Sequence, residues 1–450
     1  MTSPLYVRTA MIAPKKAPSS ETGVVRWVRE NLLSSWLNVF LTIAALYAVY
    51  LLVATIGPWI GRSVWNASSL TECRAVIAAT YGEGKSGACF AVINERWQQI
   101  LFGFYPRDLY WRPTLTLVLL LVALGPILFS WVPRGMLWFS ICFPALAFWL
   151  LWGGTIWFPV MIMVGFAAGY LAYRIITPMS GLLGIIALIV VPVLWWLFAC
   201  GPLSDALERT APLGLRALRS ADFGGFLLSA VIGISGIAFS LPIGILLALG
   251  RQSDMIIVKS FCVAFIEGLR GVPLITLLFT ASLLLNYFLP PGTEFDIIMR
   301  VIIMVTLFSA AYMAEVIRGG LAALPRGQYE AADALGLDYW QAQRLIIMPQ
   351  ALKVTIPGIV GQFIGLFKDT TLVSFISLQD PLQLVSSIRA NTEWNGIYWE
   401  LFIFVGFLFF IFCFSMSRYS MYLENKLKTD HRLERANGRN SNRPKQDDRL

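Results

Sequence analysis

The sequence predicts an all-α integral membrane protein with about ten transmembrane helices. Of its 450 residues, 57% are hydrophobic and only 14% are charged, against about 25% charged residues in soluble proteins. The mean hydropathy is +0.68. These values exclude a soluble fold, and helices are expected because a helix pairs its own peptide groups where lipid cannot.

The composition also argues against a catalytic or metal centre in this chain. It has a single histidine, His431, and six cysteines that are scattered singly. A histidine-based triad or a zinc centre therefore has few available ligands. We expect no catalytic residues, no metal site and no cofactor bound by this chain.

Charge-free runs locate the spans, because about 20 apolar residues in a helix cross a hydrocarbon core about 30 Å thick. Five spans are predicted before residue 205 and five after residue 222. The runs are 37–60, 113–133, 135–173, 175–204, 223–250, 271–293, 301–314, 354–367 and 401–417. The run at 135–173 counts as two spans because it breaks at Gly153 and Gly154.

The spans divide the chain into four predicted segments: a cytoplasmic N-terminal segment (1–36), a five-span extension (37–204) with a periplasmic loop (61–112), a second membrane domain (223–420) with a polar cytoplasmic loop (318–353), and a disordered basic tail (421–450). Residues 24–36 fit either a short helix in the membrane interface or an ordinary charged flank.

The distribution of Lys and Arg predicts that both termini lie in the cytoplasm. With the N-terminus inside, the inner segments hold 22 of the 35 basic residues and the outer segments hold 11, while Arg270 and Lys368 lie at span ends and are counted in neither. Nine of these 22 follow Ser417, in the tail that an even number of spans returns to the cytoplasm. No cleavable signal peptide is expected, because the first apolar run starts near residue 37 and is long enough to span.

The polar loop has the local signals of two short helices joined by a hinge. Pro325 opens an alanine-rich helix, and Gly336 ends it by taking the left-handed conformation. Asp338 caps the second helix, and Pro349 limits it. We expect a rigid projection that can dock into a groove on another protein.

The spacing in this loop resembles the EAA loop of ABC-importer membrane subunits, whose pattern is EAA-x3-G-x9-I-x-L-P. The matching residues are Glu330, Ala331, Ala332, Gly336, Ile346, Met348 and Pro349, with methionine where leucine is usual. Blocks at 267–274, 315–320, 325–329 and 365–374 are similar to permeases of the polar amino acid uptake family. The resemblance covers about residues 223–420.

The first half is similar to the general L-amino-acid permeases of Gram-negative bacteria, the Aap and Bzt type. The similarity lies in the five-span extension and in an outer loop with Cys73 and the segments 86–90, 102–106 and 111–113. Within this type the chain resembles the M or C subunit more than the paired Q or B subunit.

The resemblance implies a type I ABC-importer transmembrane core in the C-terminal half and a permease subunit of an ATP-driven importer of L-amino acids in the bacterial inner membrane. The implied partners are a second homologous permease subunit, an ABC ATPase dimer that binds ATP and Mg, a periplasmic amino-acid-binding protein and membrane lipid, but no nucleic acid. ATP hydrolysis is then expected on a partner, so this chain is not itself an enzyme.

Two questions stay open at this point. The alternative function is a secondary amino acid transporter driven by an ion gradient, although the two halves lack the mirrored motifs that such transporters often show. Glutamate, glutamine, arginine or a broad range of L-amino acids all remain candidate substrates.

The resemblance assigns coupling to the ATPase to Glu330, Ala331, Ala332, Gly336, Ile346 and Pro349. Glu330 is expected to make a polar contact, the two alanines to permit close approach, and Gly336 to set the hinge angle; the alternative is that these residues only fold the loop. Charges near span ends are candidates for the translocation path or for gating. They are Glu267, Arg270, Glu315, Arg318, Lys368 and Asp369. The alternative is that all six lie at the cytoplasmic end and pair with each other or with lipid headgroups.

Cys73 and Cys89 both fall in the predicted periplasmic loop, on the oxidising side of the membrane. A disulfide between them would close a loop of about 15 residues and contribute about 3 kcal/mol in the chain-entropy model. Two free thiols are the alternative.

Overall fold

The computed structural model describes residues 23–129, 131–284, 287 and 296–441, with the side chains of residues 182, 283 and 428–441 left out. Residues 1–22 of the predicted N-terminal segment, most of 285–295 at the end of the predicted seventh span, and residues 442–450 of the predicted basic tail lie outside the described residues. The side chain of His431 also lies outside them.

The chain divides into two compact units, Met1–Asn94 and Glu95–Leu450. The helices of the first unit are α1 (Gly23–Asn31), α2 (Trp36–Gly61) and α3 (Leu70–Tyr81), and α4 (Ala91–Phe102) runs across the boundary. Side-chain caps define two of these starts, because the hydroxyl of Ser35 accepts from the N–H of Asn38 and that of Ser69 from the N–H of Glu72.

The second unit continues with five helices and a small sheet. The helices are α5 (Trp111–Leu128), α6 (Leu137–Trp152), α7 (Trp157–Ile176), α8 (Gly181–Leu194) and α9 (Cys200–Thr210). A π-helical turn at Trp195–Ala199 joins α8 to α9. Strands β1 (Gly154–Thr155) and β2 (Gly214–Leu215) pair antiparallel, with Gly154 opposite Leu215.

In the part of the C-terminal half that the structure describes, there are nine further α-helices. They are α10 (Gly225–Arg251), α11 (Ile256–Arg270), α12 (Leu274–Phe279), α13 (Ile297–Ala322), α14 (Gly327–Ala334), α15 (Tyr339–Ala342), α16 (Met348–Asp369), α17 (Pro381–Arg389) and α18 (Trp399–Ser441). A 3₁₀ helix at Thr370–Ile376 follows α16, and another at Thr392–Trp394 precedes α18.

Within the described residues, nine helices are long and apolar enough to cross a membrane, and the number is ten when one bent pair counts as a single span. The prediction of an all-α membrane protein with about ten spans is therefore confirmed, and β1 with β2 is a minor addition to it. The predicted break at Gly153 and Gly154 is also confirmed, since both have positive φ, at 74° and 79°.

The predicted span at 271–293 corresponds to the bent pair of helices. In the structure this pair starts earlier than predicted, at Ile256. Helix α11 covers Ile256–Arg270, and the helix from Leu274 leaves it at an angle of 101°. The search for charge-free runs did not find α11, because Lys259, Glu267 and Arg270 lie on this helix. Two of these charges have partners on neighbouring helices, which a run along the sequence does not reveal.

Helices α10, α13 and α16 pack side by side and form the centre of the C-terminal half. Glycines permit the close approach: a Cβ at Gly244 would lie 2.7 Å from Met313 Cβ, and one at Gly320 would lie 2.8 Å from Ala351 O. Two apolar clusters result. One surrounds Ile232 and Val305, and the other surrounds Ile317, near the polar loop.

Candidate functional site

The polar loop forms the predicted helix and hinge. Helix α14 ends at Ala334, and Gly336 follows with φ of 69°. The N–H of Leu337 reaches back to Ala332 O at 3.2 Å, the bond that closes a glycine-terminated helix. The predicted left-handed conformation of Gly336 is therefore confirmed.

The second helix begins as predicted but does not end as predicted. The carboxylate of Asp338 accepts from the N–H of Gln341 at 2.8 Å, and the Gln341 side chain accepts from the N–H of Asp338 at 3.2 Å. The chain then stays helical through a π turn at Gln343–Ile347 into α16, so the expectation that Pro349 limits this helix is wrong. Proline has no N–H to donate, and it fits here because it lies in the first turn of α16, directly after the widened turn.

The segment between the two spans is shorter than the predicted 318–353. Arg318 lies in α13, and residues 348–353 belong to α16. We call residues 323–347 the projection. Its base is tied to α16 because the amide of Gln350 donates to Gln328 Oε1 at 2.9 Å.

The six predicted coupling residues do not all face outward. Glu330, Ala331, Gly336 and Pro349 are exposed, and Ile346 is half-buried. Ala332 is fully buried within the chain, so the expectation that it contacts a partner surface is wrong: its small side chain lets α14 pack against the rest of the chain. Burial also raises the pKa of Tyr329, which packs beside the cluster of Ile317.

Four large apolar side chains are exposed on the projection, and none of them is among the predicted site residues. Leu335 is 73% exposed, Tyr339 52%, Trp340 65% and Leu345 63%. Tyr339, Trp340 and Leu345 lie in the first turns of a helix that runs from Tyr339 to Ile376, and its 38 residues exceed the about 20 that cross a membrane. These first turns can therefore extend beyond the hydrocarbon core, where exposed apolar side chains indicate a protein contact. Their signal in the sequence is the presence of large apolar residues on both sides of Gly336 in a polar loop.

Four of the six predicted span-end charges meet in one ion-pair cluster. Arg251 Nη1 lies 2.7 Å from Glu267 Oε1 and 2.8 Å from Glu315 Oε1. Arg318 donates to Glu315 Oε2 from Nε at 3.0 Å and from Nη2 at 2.9 Å. Arg270 lies farther away, at 3.7 Å from Glu267 and 3.8 Å from Glu315.

This cluster joins three helices close to the projection. Arg251 ends α10, Glu267 and Arg270 lie at the end of α11, and Glu315 lies about two turns before the end of α13. Arg251, the central cation, is not among the residues predicted from the sequence. With three guanidinium groups and two carboxylates, the cluster carries one excess positive charge.

Lys368 and Asp369 lie elsewhere. They are the last two residues of α16, and the 22 residues of that helix span about 33 Å from the projection. Within the described ranges, neither has an ion pair with the cluster. The alternative that all six charges lie at one end of the membrane is therefore wrong for these two.

Cys73 and Cys89 form a disulfide with their Cα atoms 6.2 Å apart. Both residues are buried. Cys73 lies on α3. Cys89 lies just before α4, where its backbone forms an isolated β-bridge with Val64. The bond therefore fixes α3 to the segment that leads into α4.

Comparison with known proteins places these features in a family. The family described as the binding-protein-dependent transport system inner membrane component matches residues 240–429. The glutamate/glutamine/aspartate/asparagine transport system permease protein BztC of Rhodobacter capsulatus is 60% identical over 434 residues, which cover 96% of this chain and 100% of that protein. The inner membrane amino-acid ABC transporter permease protein YhdY of Escherichia coli K12 is 37% identical, covering 92% of this chain and 96% of that protein.

A crystal structure of an amino acid ABC transporter with histidines is also similar. It is 27% identical in sequence with a TM-score of 0.40, and the match covers 44% of this chain and 91% of that chain.

Proposed function

The chain belongs to the amino-acid ABC transporter permeases, the inner membrane components of binding-protein-dependent transport systems, and from this membership we propose how its parts act in transport. It is a permease subunit of an ATP-driven importer, so the family favours ATP-driven import over the ion-gradient alternative. The predicted Aap and Bzt type is confirmed by the 60% identity along nearly the whole chain.

The amino acids carried are those with short acidic or amide side chains: glutamate, glutamine, aspartate and asparagine. The support is the name of the relative that is 60% identical over 96% of the chain. The partners are a second homologous permease, an ATPase dimer that binds ATP and Mg, and a periplasmic binding protein for these amino acids.

Coupling to the ATPase runs through the projection. Leu335, Tyr339, Trp340 and Leu345 supply apolar contact area, and Glu330 supplies a polar contact beside them. Ala331 permits close approach and Gly336 sets the angle between α14 and α15. Because Ile346 and Gln350 hold the projection to α16, closure of the ATPase displaces this span.

The ion-pair cluster acts as an inner gate. It holds α10, α11 and α13 together beside the projection, so these ends separate only when the pairs around Glu315 break. Shifting the equilibrium between the closed and the open gate from 1:99 to 99:1 takes about 5.5 kcal/mol of differential binding, which ATP-driven closure of the ATPase supplies. Lys368 and Asp369 lie at the other end of α16, where the path opens outward.

The projection and both termini lie on the cytoplasmic side. The support is the excess of Lys and Arg in the segments that this orientation places inside. The disulfide between Cys73 and Cys89 then lies in the periplasm, an oxidising compartment.

The exposed apolar side chains of the projection carry this proposal, and Trp340 tests it. Replacing Trp340 with Asp should abolish copurification of the ATPase with the permease pair, whereas Trp340→Phe should retain it because the apolar contact remains. If the ATPase copurifies equally with Trp340→Asp and with the wild type, the projection is not the docking surface. Uptake of labelled amino acids by proteoliposomes that contain all the partners tests the substrate class: glutamate, glutamine, aspartate and asparagine should accumulate, and arginine should not.

A further inference from the structure

We propose that Glu95 and Arg96 of α4 are positioning residues for transport, which hold the outer end of the permease core closed until the binding protein arrives. They do so through one segment of the core, residues 377–398, which contains α17 and which we call the outer hairpin. The proposal rests on the ATP-driven import and the orientation proposed above.

The first contact is a hydrogen bond to a buried indole. Trp394 is fully buried, and its Nε1 donates to Glu95 Oε2 at 3.0 Å. A buried indole N–H requires an acceptor, because losing the bond leaves a polar group that is cut off from water. Glu95 therefore stabilises the position of the turn that follows α17.

The second contact is an ion pair beside the first. Arg96 Nη2 lies 3.2 Å from Glu393 Oε2 and 3.0 Å from Glu95 Oε1. Arg96 thus links the carboxylate on its own helix to the carboxylate on the outer hairpin. The two adjacent residues of α4 engage the two adjacent residues of the turn.

A third contact reaches the opposite end of α17 through α10. At the C-terminal part of α4, a Cβ at Gly103 would lie 2.3 Å from Gly224 Cα, and a Cβ at Gly225 would lie 2.3 Å from Ile100 O. The N–H of Gly225 in turn donates to Gln379 O at 2.7 Å, directly before the residue that caps α17. The part of α4 from residue 95 onward therefore holds α17 from both sides.

The outer hairpin lies where the core must open. It connects the end of α16, which carries Lys368 and Asp369, to the start of α18, and α17 packs against α10. Any separation of α10 from α16 and α18 at this end therefore moves the hairpin. Because α4 holds both ends of α17, such a movement must break or carry along the contacts of Glu95 and Arg96.

The test uses the complete importer in proteoliposomes, and it measures ATPase rate without the binding protein and amino acids taken up per ATP hydrolysed. In Glu95→Leu the buried N–H of Trp394 has no acceptor, so the closed hairpin is destabilised. The ATPase rate without the binding protein should rise about tenfold, which corresponds to about 1.4 kcal/mol. Uptake per ATP should fall in parallel.

Two matched variants separate positioning from simple damage to the fold. Glu95→Gln keeps an oxygen that accepts from Trp394 and should stay within about twofold of the wild type. The double variant Glu95→Leu with Trp394→Phe has no N–H left unpaired and should return most of the way to the wild type.

The proposal is overturned if Glu95→Leu leaves both readouts per assembled complex unchanged, or if it lowers only the amount of assembled complex. It is also overturned if Trp394→Phe gives no rescue. A wild-type complex that shows no ATP-driven uptake would instead refute the proposed function.

Discussion

Gly336 offers the sharpest test of the coupling mechanism, because its conformation and its surroundings separate two physical effects. Its φ of 69° lies in the left-handed region, yet a Cβ at this position would meet nothing within 4 Å. A substitution therefore costs backbone strain and no steric collision. For an ordinary L-residue this strain is about 1–2 kcal/mol, and it is larger for a β-branched residue.

Replacing Gly336 with Val should therefore shift the hinge away from the observed conformation by at least about 2 kcal/mol, a factor of about 30. We expect ATP-linked uptake in the reconstituted importer to fall by at least about tenfold, while the amount of permease inserted in the membrane stays unchanged. Gly336→Asn should retain most of the activity, because asparagine tolerates the left-handed region.

Gly327 provides the control within the same projection. It begins α14 with an ordinary φ, and a Cβ there would also meet nothing within 4 Å. Gly327→Val should therefore transport like the wild type. Normal uptake by Gly336→Val would refute the docking account, and equal loss in both variants would show that bulk at the surface, not the hinge angle, causes the defect.

Three further predictions concern the ion-pair cluster, the residue that caps α17 and the disulfide. Glu315→Gln leaves three guanidinium groups facing one carboxylate, so uptake should fall about tenfold, with insertion measured as the control. Burial raises the pKa of Asp380, which caps α17, to about 6 from 3.8. The folded state then binds more protons than the unfolded chain, so stability falls as pH rises from about 4 to 6. Between about pH 5 and 7 the free energy of unfolding of the wild type should fall by about 1 kcal/mol relative to Asp380→Asn, which can still cap the helix. The same change of melting temperature with pH in both proteins would contradict this. Replacing Cys73 and Cys89 with Ser should cost about 3 kcal/mol, and a reductant should lower the melting temperature of the wild type but not of the variant.

The features that the sequence predicted correctly are those with local causes. The positive φ of Gly336 and the cap at Asp338 depend on a few neighbouring residues, and both are present. The effect of Pro349 was predicted wrongly because the π turn before it lets the helix continue, and no residue signature announced that turn.

The features that the sequence could not predict depend on distant partners. In the sequence Arg251 is an ordinary charged end of a span, but one carboxylate partner, Glu267, lies 16 residues away on α11 and the other, Glu315, lies on α13. The bond between Glu95 and Trp394 joins residues 299 positions apart. Such pairs become visible only when the helices are packed, which is also why Lys368 and Asp369 were grouped with charges at the other end.

Helix α10 takes part in the contacts at both ends of the core. Its last residue, Arg251, is the central cation of the ion-pair cluster, and its first residue, Gly225, contacts both α4 and the outer hairpin. Along its middle, a Cβ at Gly233 would lie 2.7 Å from the ring of Phe367, and one at Gly244 would lie 2.7 Å from Met313. Packing this close resists local adjustment, so a displacement of α10 at one end is transmitted to its neighbours rather than absorbed. When the ion pairs of Arg251 break, we therefore expect a displacement of α10 to reach the contacts that Ile100 and Gly103 make with Gly224 and Gly225.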